Sequence, residues 1–244
     1  MRNYVIINGV NSTTLNGLAI NEMPPITKPS IRTNTEEIDG RDGDIVTRLG
    51  YSAYDKEMTI GLYGSYDLDG IMSYFNQSGT IIFSTETDKY YNFEILEQID
   101  FEKLARFKTA TVTFHCQPFK YEVNETAITL SSGNNTVKNK GNIYAKPIIY
   151  IKGSGTITVS LNGNQIFSLD LGATTSEMTI DIEKLEAYDP NDGTLLNRKV
   201  TGDYDDFKLE VGNNTINLSG TITTANITMY SRWLWYVEDF SNIR

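Results

Sequence analysis

Hydrophobic positions alternate with polar ones through most of the chain, in runs rich in β-branched and aromatic residues. The clearest run is Lys108–Cys116, in which Ala110, Val112, Phe114 and Cys116 fall on every second position. A period of two places these side chains on one face of a β-strand. Further runs of this kind lie at Tyr4–Gly9, Lys56–Gly64, Gly79–Thr85 and Lys89–Asp100. The pattern therefore predicts a mainly β first half.

One segment follows a helical spacing instead. Leu68, Ile71, Met72 and Phe75 fall at i, i+3, i+4 and i+7, which makes one apolar stripe along a helix. Ser65 or Asp67 can cap the start of the helix, because the side-chain oxygen of either residue can accept a hydrogen bond from a free backbone N–H group. The pattern predicts one helix in the N-terminal domain, with the stripe packed into the core.

A second series of strands follows a polar, turn-rich stretch near residue 130. The short runs read AKPIIYIKG, GTITVSLNG, NQIFSLDLG, EMTIDIE, DFKLEVG, NNTINLSG and TITTANITMYS. Many short strands at this spacing are typical of a β-sandwich. The sequence therefore predicts an N-terminal β domain at residues 1–130, a linker at 131–141 and a C-terminal β-sandwich at 142–244.

The stretch EEIDGRDGD combines glycines with acidic residues and follows a proline-rich segment. A phosphate-binding loop would lead into a helix and would not place its glycines among carboxylates. Prolines disfavour regular strand pairing and hold the backbone extended. We therefore expect residues 21–54 to form a long arm or projecting hairpin that contacts a neighbouring subunit. Its candidate residues are Pro24, Pro25, Pro29, Gly40, Arg41, Asp42 and Gly43.

Composition excludes several classes of protein. The 244 residues carry a net charge of −10, which would repel a phosphate backbone and argues against sequence-specific nucleic-acid binding. One cysteine allows no intrachain disulfide. No apolar run approaches the length of a membrane span, and the N-terminus does not have the pattern of a signal peptide. We expect synthesis in a cytoplasm and no insertion into a membrane.

Catalytic and metal-binding patterns are weak. His115 and Cys116 are adjacent in a predicted strand, so their side chains point to opposite faces and do not form a nucleophile–base pair. Zinc sites require several histidines or cysteines at short spacing. Asp203, Asp205 and Asp206 could supply the carboxylates of a glycoside hydrolase, although solvated turns are the simpler interpretation. The sequence predicts no enzyme, no metal and no cofactor.

Two tryptophans near the C-terminus leave a second function open. Trp233 and Trp235 would share one face of a strand and could stack on a sugar, although core or interface packing is the simpler interpretation. The alternative function is therefore a carbohydrate-binding module for recognition of a host receptor.

Several segments, in order, carry a resemblance to a known family. They are INGV, LNGLAI, DGRDGD, GTIIFSTETDKYYNFEILEQID, ATVTFHCQPFKY, NKGNIYAKPIIYIKGSGTITVSLNG, TGDYDDFKLEVGNNTINLSG and SRWLW. Each segment is weakly specific, but their order and combination resemble the distal tail proteins, or Dit proteins, of siphophages of Gram-positive hosts. The resemblance covers nearly the whole chain and extends to phages and prophages.

The resemblance implies a fold and a structural role. Family members have an N-terminal ring-forming β domain, sandwich- or barrel-like, with one helix and an extended belt, followed by a galectin-like β-sandwich. Six copies form a ring at the tail tip of the virion, which joins the major tail tube protein to the tail-associated tip or lysin protein and surrounds the DNA channel. Receptor-binding proteins are further candidate partners, and the belt corresponds to residues 21–54.

Two features of the sequence bear on that implied role. Up to Leu130 the chain has 18 acidic against 11 basic residues, and an acidic channel wall would let DNA slide without holding it. A galectin-type sugar site would need a histidine beside an asparagine, an arginine and a stacking tryptophan. The single histidine lies in the other domain, so a galectin-like fold would not imply sugar binding here.

Overall fold

The computed structural model describes residues 3–234, and these form a mainly β protein, as the sequence predicts. Contacts divide them into two compact units, residues 3–123 with Leu234 and residues 124–233. The first unit contains strands β1 (Val5–Ile7), β2 (Val10–Asn11), β3 (Leu18–Glu22), β4 (Ile31–Glu37), β5 (Asp44–Tyr51), β6 (Tyr54–Leu62), β7 (Gly79–Phe83), β8 (Lys89–Glu94) and β9 (Thr109–Glu122), and helices α1 (Leu68–Tyr74) and α2 (Phe101–Phe107). The second contains β10 (Ile128–Leu130), β11 (Gly133–Asn139), β12 (Ile148–Leu161), β13 (Asn164–Asp170), β14 (Ser176–Asp181), β15 (Glu186–Tyr188), β16 (Val200–Thr201), β17 (Gly212–Thr228) and β18 (Arg232–Trp233), with 3-10 turns at Asn197–Lys199 and Tyr204–Asp206. A further 3-10 turn in the first unit spans Ser12–Thr14.

The first unit is built on an antiparallel sheet with the strand order β2-β1-β7-β8-β9-β6-β3. The alternation in β9 has the predicted outcome, since Ala110, Val112, Phe114 and Cys116 are all buried. The ring of Phe114 lies 5.9 Å from that of Phe83, centroid to centroid. Aromatic pairs at such distances and edge-on angles add to the free energy gained by burial. The period-two pattern thus produces the core of this unit.

Helix α1 confirms the helical stripe. The side chain of Asp67 accepts a hydrogen bond from the Gly70 N–H at 3.1 Å, which caps the first turn. Ile71 and Phe75 are buried, and the Tyr74 hydroxyl donates to the Val5 carbonyl at 3.1 Å. Leu68 is partly buried against the same core, but Met72 is 37% exposed, so three of the four stripe residues pack as expected and one faces solvent.

Helix α2 is a correction to the prediction of one helix. The sequence pattern continues strand β8 to Asp100, but the strand ends at Glu94 and a second helix begins at Phe101. Asp100 caps this helix by accepting a hydrogen bond from the Lys103 N–H at 2.7 Å. Among its residues only Leu104 is buried, so no stripe of apolar positions announces it.

The second unit depends on two long strands that change partners along their length. Strand β12 pairs with β14 through residues 148–153 and with β13 through residues 156–161. Strand β17 pairs with β11 through residues 212–218 and with β10 through residues 225–227. The changes coincide with irregular pairing of β12 and β17 at residues 153–158 and 219–222. The sheet turns a corner there, and the buried residues of both halves form one core.

Glycines permit the close approach of the strands at this corner. A Cβ atom on Gly153 would lie 2.3 Å from the Thr221 carbonyl oxygen, and one on Gly220 would lie 2.7 Å from that of Thr156. Gly220 also has a φ of +127°, a conformation that other residues rarely adopt. The corner therefore requires glycine for two separate reasons, space and backbone conformation.

The predicted linker at 131–141 differs from what is observed. Residues 133–139 form β11, which pairs in full register with β17 inside the second unit, and the contacts divide the chain after Val123. Asn134, Thr136 and Lys138 are exposed on the outer face of the strand, and Val137 and Asn139 are buried on the inner face. Polar composition therefore conceals a strand that is half exposed.

The first unit contains a buried lysine, Lys56. Lys56 is 2% exposed and lies with Met58 and Ile60 on the inner face of β6. Its ammonium group donates a hydrogen bond to the Pro25 carbonyl at 2.8 Å and lies 5.2 Å from the centre of the Tyr91 ring. Burial lowers the pKa of Lys56 to about 8 from its ordinary value of 10.5. The hydrogen bond and the aromatic face partly offset the cost of desolvating this charge.

Replacing Gly153 by alanine should destabilise the second unit strongly. The new methyl group would meet the Thr221 backbone oxygen, which has no flexible side chain to move aside. We expect Gly153→Ala to lower the free energy of unfolding by about 3 kcal/mol, measured by urea denaturation. Gly155→Ala is the matched control: its φ of +72° is strained for alanine but no atom lies within 4 Å of the added Cβ, so it should cost only about 1 kcal/mol. Equal costs would contradict the steric argument.

Lys56 should make stability depend on pH above neutrality. Between pH 8 and 10.5 the folded state has lost this proton while the unfolded state retains it, so stability from this group rises with pH across that window. We expect the free energy of unfolding of the native chain to gain about 2 kcal/mol, relative to Lys56→Met, between about pH 8 and pH 9.5. Denaturation of both chains at each pH measures the difference. Parallel pH profiles for the two chains would show that Lys56 titrates normally in the folded protein.

Candidate functional site

The most distinctive surface feature is a hairpin that pairs with no other strand of the described residues. We call residues 31–51, which contain β4, β5 and the turn between them, the arm. The two strands pair with each other from Ile31 opposite Tyr51 to Glu37 opposite Asp44. Strand pairing shifts once, between Arg32 and Thr33. Hydrogen bonds of the backbone thus hold the arm together, without a third strand.

The stretch DGRDGD forms the turn at the tip of the arm. Gly40 and Gly43 have φ values of +79° and +76°, and no atom lies within 4 Å of a Cβ built on either residue. The Arg41 N–H donates a hydrogen bond to the Ile38 carbonyl at 3.1 Å. The glycines therefore serve the left-handed backbone of a tight turn. No phosphate-binding helix follows, since the next residues form β5.

Both faces of the arm are open to solvent. Every residue from Arg32 to Gly50 is exposed. Four of these are large apolar residues, with exposed fractions of 47% for Ile38, 36% for Ile45, 57% for Val46 and 56% for Leu49. An isolated hairpin with apolar side chains on its surface leaves hydrophobic area that another surface can bury.

The tip of the arm is strongly acidic. Between residues 36 and 44 the carboxylates are those of Glu36, Glu37, Asp39, Asp42 and Asp44, and the one cation is Arg41. Because these side chains are exposed, they create a negative field beyond the tip. A binding surface for the arm must therefore offer both apolar contact and positive charge.

The base of the arm is fixed to the first unit. The Ser52 N–H donates to the Ser30 carbonyl at 2.9 Å, and the Tyr51 ring meets the edge of Phe119 at 5.7 Å between centroids. Lys56 holds the Pro25 carbonyl, as described above. Three prolines are candidates for the contact with a neighbouring subunit. Pro24 and Pro29 are buried, and Pro25 is exposed. The prolines thus belong to the anchored approach to the arm, and the arm itself starts at Ile31.

The role of Lys56 in fixing the base of the arm is not predicted from the sequence. Lysine is rarely buried, so its side chain is expected at the surface. A signal was present, however, because Lys56 shares the parity of Met58, Ile60 and Leu62 along β6. A charged residue in register with buried neighbours indicates a buried, hydrogen-bonded charge.

Of the two tryptophan candidates for sugar binding, the structure describes Trp233. Trp233 is only 5% exposed and therefore offers no face on which a sugar could stack. Trp235 lies outside the described residues. The simpler interpretation of Trp233, which is packing, agrees with its burial.

No catalytic arrangement is found among the candidates considered from the sequence. His115 pairs with Asp55 at 2.7 Å on the outer face of β9, while Cys116 is buried on the inner face, where burial raises the pKa of its thiol to about 12. The Asp203 carboxylate accepts a hydrogen bond from the Asp205 N–H at 2.9 Å and so caps a 3-10 turn. Among residues 3–234, no group of three or more histidine, cysteine or acidic side chains is arranged to hold a metal ion. No helix of the described residues is long and apolar enough to cross a membrane.

Comparisons with known proteins point in one direction. Residues 11–116 match the family model described as the phage tail protein RIFT-related domain. That region contains the arm and strands β3 to β8, and it ends within β9. The comparison with curated proteins returns no match.

Two solved structures share the fold over nearly the whole chain. The Dit protein of phage SPP1, described as a paradigm of the hub adsorption apparatus in phages that infect Gram-positive bacteria, is 17% identical, with a TM-score of 0.66. The match covers 95% of this chain and 99% of the SPP1 protein. A chain of the phage P2 baseplate in its activated conformation with Ca is 13% identical, with a TM-score of 0.52, over 94% of this chain and 97% of that one.

The family match and the fold agree with the order of motifs along the sequence. The first half of the chain carries the phage tail domain, and the chain as a whole has the architecture of a distal tail protein. Residues 11–116 thus match the phage tail protein RIFT-related domain family, and the chain as a whole is similar in fold to the Dit protein of phage SPP1.

Proposed function

We propose that this protein is a ring-forming adaptor at the distal end of a siphophage tail. In this proposal six copies associate through their N-terminal units, and the ring joins the tail tube to the tail-associated tip protein around the DNA channel. For the C-terminal unit we propose a galectin-like topology. The protein acts by assembly in the virion and carries no catalytic activity.

The observation that carries the proposal is the exposed arm. A hairpin with apolar side chains on its surface and no third strand gains stability when a second surface covers it. The base of the arm is held by buried contacts, so it presents a preformed binding element. Preformed elements lose less conformational freedom when they bind. The arm is therefore suited to contacts between subunits of a permanent assembly.

The negative charge of the first unit supports the proposal that it lines a DNA channel. The first unit buries three of its lysines, Lys56, Lys89 and Lys120. Its exposed surface is therefore more acidic than the composition suggests. An acidic wall repels the phosphates of a passing duplex and prevents tight binding to it. DNA would cross such a ring without being retained.

Removing the arm should abolish self-assembly and leave the fold intact. We expect a variant with Thr33–Leu49 replaced by a two-residue Asn-Gly turn to remain a monomer, because it lacks the element that contacts the next subunit. Its fold should stay intact, because the deleted residues are all exposed and contribute no core. Light scattering across a concentration series should give about 164 kDa for the native chain, six times 27.4 kDa, and the monomer mass for the variant.

Two outcomes would contradict the proposal. A ring of full mass from the shortened chain would show that the arm is not needed for assembly. A native chain that stays at 27.4 kDa at every concentration would show that it does not assemble by itself. Thermal unfolding of both chains is the control, since the shortened chain should unfold at nearly the native temperature.

A further inference from the structure

The surface that receives the arm can be sought among the exposed cations, because the tip of the arm is acidic. In the described part of the first unit, outside the arm and the proline-rich segment before it, the lysines and arginines are Lys56, Lys89, Lys103, Arg106, Lys108 and Lys120. Lys56, Lys89 and Lys120 are buried. The three that remain exposed lie in α2 or directly after it: Lys103 in its first turn, Lys108 just past its end and Arg106 in its last turn.

The same turn carries the most exposed large apolar side chain of the described residues. Phe107 is 71% exposed at the end of α2, between Arg106 and Lys108. An exposed aromatic ring flanked by cations matches the arm in two respects, since the arm presents apolar side chains beside carboxylates. Aromatic and arginine side chains are also the residues that contribute most to protein interfaces.

The last turn of α2 is held in a defined conformation. Lys108 ends the helix with a φ of +60°, and its backbone N–H bonds to the Leu104 carbonyl. Its ammonium group donates to the Tyr66 hydroxyl at 2.7 Å and lies 4.3 Å from the centre of the Tyr66 ring. Arg106 pairs with Glu102 one turn earlier at 2.7 Å, and this pair is exposed. A rigid surface loses little conformational entropy on binding.

The arm and this turn lie at opposite ends of the same two strands. The base of the arm meets the start of β6 and the later part of β9, where Tyr54 is opposite Cys116 and Tyr51 contacts Phe119. At the other end the Leu62 N–H bonds to the Lys108 carbonyl. Eight residue steps along β6 span about 26 Å. The arm does not touch the α2 turn of its own chain, since all its residues from Arg32 to Gly50 are exposed.

We propose that the arm of one copy docks on the exposed side of α2 and the residue after it in the next copy, at Lys103, Arg106, Phe107 and Lys108. The apolar side chains of β5 cover Phe107, and the carboxylates of the tip face the three cations. This inference rests on the proposed function and names the receiving surface of that assembly. Because two different surfaces meet, the contact is head-to-tail and each subunit uses both.

Cross-linking between two chains that each carry one introduced cysteine tests the contact directly. One chain carries Val46→Cys and the other carries Phe107→Cys, and they are mixed at the concentration that gives the assembled mass and then oxidised. The native Cys116 is buried and is the same in every variant. We expect a disulfide-linked heterodimer as the main product, since Val46 lies on the exposed surface of the arm.

Leu195→Cys provides a matched control in place of Phe107→Cys. Leu195 is 65% exposed, close to the 71% of Phe107, and it stands near two exposed cations of the second unit, Arg198 and Lys199. We expect the link to Phe107→Cys to exceed the link to Leu195→Cys several-fold. Equal yields, or a preference for Leu195→Cys, would overturn the inference.

Charge reversal supplies a second measurement. Arg106→Glu should weaken self-association, and Asp44→Arg in the same chain should restore it in part, because an opposite-charge pair is re-formed across the contact. Arg198→Glu should have no effect. Weakening by Arg198→Glu but not by Arg106→Glu would place the receiving surface in the second unit and overturn the inference.

The outcomes separate this inference from the proposed function. If the native chain reaches the ring mass but residues 46 and 107 do not link, the receiving surface is wrong and the ring stands. If the native chain remains a monomer and no link forms, self-assembly and the inference fail together. If Val46→Cys links only with itself, two arms meet symmetrically, and the head-to-tail contact is excluded.

Discussion

A two-stranded hairpin cannot bury both of its faces, and the organisation of the first unit follows from that constraint. The arm has complete backbone pairing but no core, so its position depends on what holds its base. Tyr51 packs on Phe119 and Lys56 bonds to the Pro25 carbonyl, and both contacts belong to the buried part of the unit. Burying the Lys56 charge costs free energy, and the hydrogen bond of this residue fixes the approach to the arm. That cost is hard to explain if the arm were only a loop.

The second unit is organised around two long strands. Strands β12 and β17 each serve two sets of partners, so a single hydrogen-bonded sheet closes over its own core. The corner brings backbones so close that Gly153 and Gly220 have no room for a side chain. This unit has its own apolar core, separate from the aromatic core of the first. Packing around the corner is therefore part of what stabilises this unit.

Sequence patterns predict local structure well where the period is unbroken. The alternation in β9, the stripe of α1 and the turn at Gly40–Gly43 are all visible in the sequence and all present in the fold. Continuity across an irregularity is not visible, so β12 is predicted as two strands divided near Gly153, although it is one. Glycine signals a turn and a corner within a strand with equal strength, and only the pairing of distant strands distinguishes them.

Helix α2 shows why the receiving surface is the hardest part to predict. Of its seven residues Leu104 is buried, Phe101 and Ala105 are half-buried, and the other four face solvent. A short helix with one buried side chain has little packing to stabilise it and no amphipathic pattern to reveal it. Yet α2 and the residue after it carry the exposed cations that the described part of the unit has outside the arm and the proline-rich segment, beside an exposed phenylalanine. Residues that neither stabilise the fold nor follow its periodicity are those free to serve an interface, so Phe107 is better explained by assembly than by folding.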